Sequence, residues 1–191
     1  MASVADSFTA GTGLTALVGA FTVTGGQLTS ATAGSFVIGQ YQAVALGAAQ
    51  FAEMSIVTLD ATTSRRWGVA TRLGTAGANY MAYLDAAAGG AWELAKYTSF
   101  TYASISGAQA LTIALPMRLR LESVGSTHRV LINGRLVGTY TDASVATGQY
   151  VGVYGNEPNS LVASDDFYGG DVVPPPGPLM SRAAAMRAAT V

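Results

Sequence analysis

The stretch Met117-Arg118-Leu119-Arg120-Leu121-Glu122 alternates without a break, three apolar residues against three charged ones. Successive side chains of a strand point to opposite faces, so this run is a half-buried strand with one wet face. His128-Arg129-Val130-Leu131-Ile132 and Arg135-Leu136-Val137-Gly138-Thr139-Tyr140 follow it, joined by Asn133-Gly134. A two-residue type I′ turn needs positive φ at both central positions, and Asn-Gly meets that need with least strain. The two runs are therefore a hairpin, and the chain is building an antiparallel sheet.

Working outward, residues 148–154 and 160–168 supply two further strands. On the N-terminal side the candidates are 20–24, 27–30, 35–46, 51–59, 67–73, 80–85, 91–97 and 110–115. Turn residues separate them, among them Gly25-Gly26, Gly47 and Gly89-Gly90. Many short strands rich in β-branched and aromatic residues, punctuated by 23 glycines, exceed one open sheet. The expected fold is all-β: a two-sheet antiparallel β-sandwich over residues 1–173. No helical periodicity is sustained before residue 178, and Ala86-Ala87-Ala88 is cut short by Gly89-Gly90. Pro174-Pro175-Pro176-Gly177-Pro178 reads as a stiff extended spacer. Residues 179–191 then read as a short helix with Leu179, Ala183 and Met186 on one stripe, too short to stand alone and suited to docking on a partner.

The 191 residues fit one domain with a full core. Only 11% are charged and the net charge is −1, so Ser, Thr, Gly, Gln and Asn must cover the surface. No basic patch follows a phosphate backbone, which speaks against nucleic acid. No apolar run reaches the roughly 20 residues of a membrane span, so no membrane is expected. With no cysteine there is neither disulfide nor thiolate metal site. The first residues lack the charged and apolar regions of a secretory signal, which leads to an expectation of assembly in a host cytoplasm.

The order of features over 117–171 resembles the concanavalin A-like jelly roll, the sandwich of laminin-G-type, lectin and glucanase domains. It consists of an alternating strand, a hairpin on Asn133-Gly134, the strand ending Tyr150-Val151-Gly152-Val153-Tyr154, and a closing Asp165-Asp166-Phe167. The resemblance implies that Asp6-Ser7-Phe8 on the first strand lies beside Asp166-Phe167. It also implies that Asn79-Tyr80-Met81-Ala82-Tyr83 is a central strand, and it covers about residues 4–172 in layout.

Glycoside hydrolysis is the enzyme activity such a fold most often hosts, and it needs two carboxylates about 5–9.5 Å apart. Glu53, Glu93, Glu122 and Glu157 are isolated in sequence, and no Glu-x-Asp-x-x-Glu run occurs. The lone histidine, His128, opens a hairpin strand among apolar neighbours and reads as structural; one His and no Cys leave zinc without ligands. Calcium, which takes six to eight oxygens, has Asp6, Asp165 and Asp166 as candidate donors, although the preferred roles are capping of strand ends by Asp6 and Asp165 and bonding of backbone amides by Asp166. No other cofactor is expected. The glycines of Gly11-Thr12-Gly13 and Gly25-Gly26 lack the residues of a phosphate loop and are turns.

Carbohydrate binding would use an aromatic face. Trp92, Tyr97 and Tyr83 are the chosen candidates, with Trp67, Tyr80 and Tyr102 behind them, though each reads first as core. Trp92 shares a face with Leu94, pointing inward; Tyr97 shares one with Glu93, pointing outward. The leading expectation is a non-catalytic structural protein that decorates a virion, a jelly-roll homo-oligomer with protein partners. It rests on the nearly uncharged surface, the missing signal and the tail. The alternative is a carbohydrate-binding module taking glycans, and a glycoside hydrolase is third.

Overall fold

The computed structural model describes residues 2–9, 12–31, 36–59, 65–74, 77–99, 101–156 and 162–172. Numbered along the chain, its strands form two antiparallel sheets of eight. The first sheet runs β14 (Arg135–Thr141), β13 (Thr127–Ile132), β12 (Met117–Val124), β6 (Gln50–Leu59), β16 (Val162–Asp171), β4 (Gln27–Ser30) and β3 (Phe21–Thr24), with β1 (Ser3–Asp6) also paired to β16. The second runs β10 (Thr101–Ser104), β9 (Ala91–Thr98), β8 (Asn79–Asp85), β7 (Arg66–Leu73), β15 (Tyr150–Asn156), β5 (Phe36–Tyr41) and β2 (Leu14–Val18), with β11 (Gln109–Ala110) on β9. A single 3₁₀ turn at Ala87–Gly89 is the one helical element among the described residues.

The hairpin that decides the fold stands where the sequence puts it. Ile132 pairs Arg135 across Asn133 and Gly134, whose φ angles are 51° and 77°. Asp6 pairs Phe167, so the first strand does lie against the closing one, and the 79–83 strand sits between β7 and β9. The inward faces of both sheets close a core in which Phe8, Leu28, Met54, Ile56, Trp67, Leu119, Leu121 and Phe167 are buried. Burying a side chain of this kind contributes about 1.5–3 kcal/mol, which is why apolar content overrides the abundance of glycine.

Two strand limits differ from expectation. The strand expected at 35–46 ends at Tyr41, after which the chain crosses to give the Leu46 amide to the Gln149 carbonyl. That expected at 110–115 survives only as Gln109–Ala110, because Leu111 makes its last bond to Gly90 and then leaves the sheet. The short strands β2 and β10 were not anticipated. The proline spacer 174–178 and the tail with Leu179, Ala183 and Met186 lie outside the described residues. Among those described, no helix is long and apolar enough to cross a membrane.

Candidate functional site

The second sheet buries both of its faces. Trp67, Val69, Tyr80, Leu84, Trp92 and Leu94 face the first sheet. The intervening positions Ile38, Ala70, Met81, Tyr83, Ala95, Tyr97 and Tyr154 form a second cluster on the side turned away from it. Such a face would be wet if the sheet were flat. Phe36 on β5 and Tyr97 on β9 are four strand steps apart, roughly 19 Å at the usual spacing. Their rings nonetheless stack with centroids 5.5 Å apart. The sheet therefore curls over this face, and the side chains cover one another. Gly68 on β7 leaves room for Tyr83 and Tyr154 to meet across it, with centroids 5.5 Å apart.

At the mouth of the curled face stands a polar group. β8 and β9 place Tyr83 opposite Glu93, and β10 brings Tyr102 beside Tyr97. The Tyr83 hydroxyl donates to one Glu93 carboxylate oxygen at 2.6 Å and the Tyr102 hydroxyl to the other at 2.6 Å. The Arg66 guanidinium lies 5.2 Å from the Tyr83 ring centre and 5.8 Å from that of Tyr102, and pairs with Asp85 at 3.1 Å. Burial pushes the Glu93 carboxyl up. Hydrogen bonds from Ser104, Tyr102 and Tyr83, with the Arg66 charge, outweigh that and hold it below its ordinary value. Burial and the Glu93 acceptor together keep the Tyr83 phenol protonated far above its usual range. A carboxylate fixed by two phenols, whose rings a guanidinium overlies, is suited to hydrogen-bonding hydroxyl groups. It is poorly suited to giving up a proton.

Of the three aromatics chosen from sequence, the structure brings Tyr83 and Tyr97 onto one face and leaves Trp92 on the other, in the core, where its ring and that of Tyr140 meet edge to face. The outward direction expected for Tyr97 and Glu93 is correct, but their exposure is not: both are 7% exposed. Curling of the sheet is the physical reason. Arg66 and Tyr154 were missed, since neither stands in a pattern that marks a site. Tyr102 stood only among the secondary candidates.

The other polar groups serve the fold. Asp6 accepts from the Phe8 amide at 2.8 Å, the Gly13 amide at 3.0 Å, and the Thr12 and Tyr41 hydroxyls at 3.1 and 3.0 Å. Asp165 accepts from the Asp166 amide. Among the described residues no three acidic or histidine side chains gather as a metal site would require. His128 is fully buried: its Nε2 meets the Asp142 carbonyl at 3.0 Å and its Nδ1 the Ser123 hydroxyl at 2.9 Å. A carbonyl only accepts, so Nε2 carries the proton and Nδ1 accepts from Ser123. Glu53 pairs with Arg118 and Arg120, and Glu122 with Arg120, all on the far sheet. Glu157 lies outside the described residues.

This architecture is that of the jelly-roll sandwiches found in lectin-type and glycosidase-type domains. No family model and no curated sequence matches the chain. Among solved structures it is similar to the carbohydrate-binding module CBM66 from Bacillus subtilis, with a TM-score of 0.63 and 19% identity over 81% of this chain and 92% of that one. It is also similar to the Crh5 transglycosylase, with a TM-score of 0.62 and 9% identity over 90% and 85% of the two chains. A xylan β-1,4-xylosidase from Bacillus halodurans matches with a TM-score of 0.54 and 14% identity over 76% of this chain, which spans only 33% of the xylosidase. At such identities the likeness establishes the fold.

Proposed function

We propose that this chain is a non-catalytic carbohydrate-binding module, and that glycan binds at the mouth of the curled face through Arg66, Glu93, Tyr83 and Tyr102. The observation that carries this reading is the Glu93 carboxylate, held ionised between two phenols beside partly exposed Arg66 and Tyr102. Hydroxyl-rich ligands need charged acceptors and fixed donors of this kind, with aromatic carbon beside them. Hydrolysis needs a carboxyl that is protonated at working pH as well as a carboxylate. Asp85 is tied to Arg66, and Glu93 is held in its charged form.

The size match to a carbohydrate-binding module supports the same reading, since nine-tenths of that module is covered. Virion decoration, the leading expectation from sequence, draws no support from the similar structures. Titration calorimetry with soluble oligosaccharides of xylan, β-glucan and fructan tests the proposal. Saturable binding to one class is expected, at least about tenfold weaker in Arg66→Ala and weaker in Tyr102→Phe, a loss of roughly 1.4 kcal/mol or more for the former. Release of reducing ends that stops on Glu93→Gln would instead make the chain a hydrolase.

A further inference from the structure

Resting on the carbohydrate-binding reading, we propose that the curled face holds a covered trough for an uncharged saccharide chain. Phe36, Tyr97 and Tyr154 lie across it as a displaceable cover, and Gln40 and Asn79 supply its inner hydrogen-bonding groups. One cross-strand row of the second sheet runs Gln40, Gly152, Ala70, Met81, Ala95. Three of these five have a methyl group or less as side chain, so the sheet has a shallow floor there. The rings above do not interdigitate with another sheet; they contact one another, Tyr97 to Phe36 at 5.5 Å and to Tyr154 at 6.2 Å between centroids.

The observation that points to a ligand is the state of Gln40. It is fully buried, it falls on the curled face by the alternation of β5, and neither its amide nitrogen nor its amide oxygen has a hydrogen-bond partner. Asn79 is also fully buried on this face; its nitrogen donates to the Gly77 carbonyl while its oxygen has no partner. Leaving a buried amide unpaired costs stability, and a methionine of similar shape would avoid the cost. A saccharide hydroxyl both donates and accepts, and so satisfies an amide whichever of its atoms it meets. Sugar rings also replace the aromatic contacts that the cover would lose on swinging out.

The charges of this face fix the class of saccharide. Arg66, Asp85 and Glu93 sum to −1, and Arg66 is already committed to Asp85. Among the described residues of this face no second cation stands beside Arg66 to hold a uronate or a sulfate, so the trough suits neutral chains.

The test compares Gln40→Met with Arg66→Ala in the full-length chain, using xylohexaose, laminarihexaose, cellohexaose and hexagalacturonate as probes. Gln40→Met is expected to melt at a higher temperature than the parent yet to bind its neutral hexasaccharide at least tenfold more weakly. Saturating ligand should also change the near-ultraviolet circular dichroism of the tyrosines as the cover moves. A lowered melting temperature in Gln40→Met would mean that the amide serves the fold, and would overturn the trough. So would unchanged affinity in Gln40→Met beside lost affinity in Arg66→Ala, which leaves the mouth site standing. Preference for hexagalacturonate would overturn the neutral class, and failure of the parent to bind any saccharide would remove both proposals.

Discussion

The two sheets have the same number of strands but opposite outer faces. On the first, Arg118, Arg120, Glu122 and Glu53 form a ladder of ion pairs, with the Arg118 side chain 51% exposed. On the second, the outward positions hold tyrosine, methionine and alanine that are buried, although no third layer of strands covers them among the described residues. The difference shows what curvature does: the first sheet's outer face meets water and carries ion pairs laid over Phe51 and Tyr168, whereas the curled face shields its rings from water. It also buries an acid that two phenols fix, whereas the acids of the first sheet's outer face pair with arginines that lie over Phe51 and Tyr168.

The contrast breaks most severely at Gly68. A Cβ there would meet the Ala82 carbonyl oxygen at 2.0 Å, within the pairing of β7 to β8. Gly68→Val is expected to cost on the order of 4 kcal/mol or more, and chemical denaturation would show it. Gly134→Val, at the exposed hairpin of the flat sheet, meets no atom within 4 Å but has a φ of +77°. About 1–2 kcal/mol is expected from backbone strain alone. A loss as large as that at Gly68 would mean that the hairpin is no less constrained than the curled face.

Acid sharpens the comparison from between the sheets. Burial holds the His128 imidazole below its usual value, so the folded state disfavours its proton. The unfolded chain then binds more protons once pH falls below about 6.5, and stability is lost as pH falls from there toward the folded-state value. Denaturation midpoints measured across that window should decline, and His128→Phe should flatten the decline. Burial alone would raise Asp142, but Lys96 at 2.6 Å, with Ser144 and Tyr80, keeps it far below the ordinary carboxyl range. Its contribution is present above about pH 4 and fades only below it. The smallest effect belongs to the first sheet's outer face: Glu53→Ala should cost roughly 0.5 kcal/mol, shrinking in high salt, because Arg118 is half exposed and Arg120 keeps its pairing with Glu122.

The same contrast explains what could be read from sequence. β12 was legible because a wet face writes its polarity into every second residue. The hairpin was legible because Asn133 and Gly134 are the residues that its turn demands. β8 and β9 carry apolar residues at both parities, so alternation could not separate core from outer face, and Tyr97 was expected to be exposed. Glu93 was visible only as an isolated acid. Its partners Tyr83, Tyr102 and Arg66 come from three other strands, and only the register of four strands brings them together.

Backbone amide chemical shifts, followed during titration with the neutral saccharide that binds best, test the carbohydrate-binding role most directly. Shifts are expected to concentrate on the curled face, at Arg66, Tyr83, Glu93 and Tyr102, while Arg118, Arg120 and Arg129 on the flat face stay still. Shifts confined to the flat face, or none with any saccharide, would contradict it.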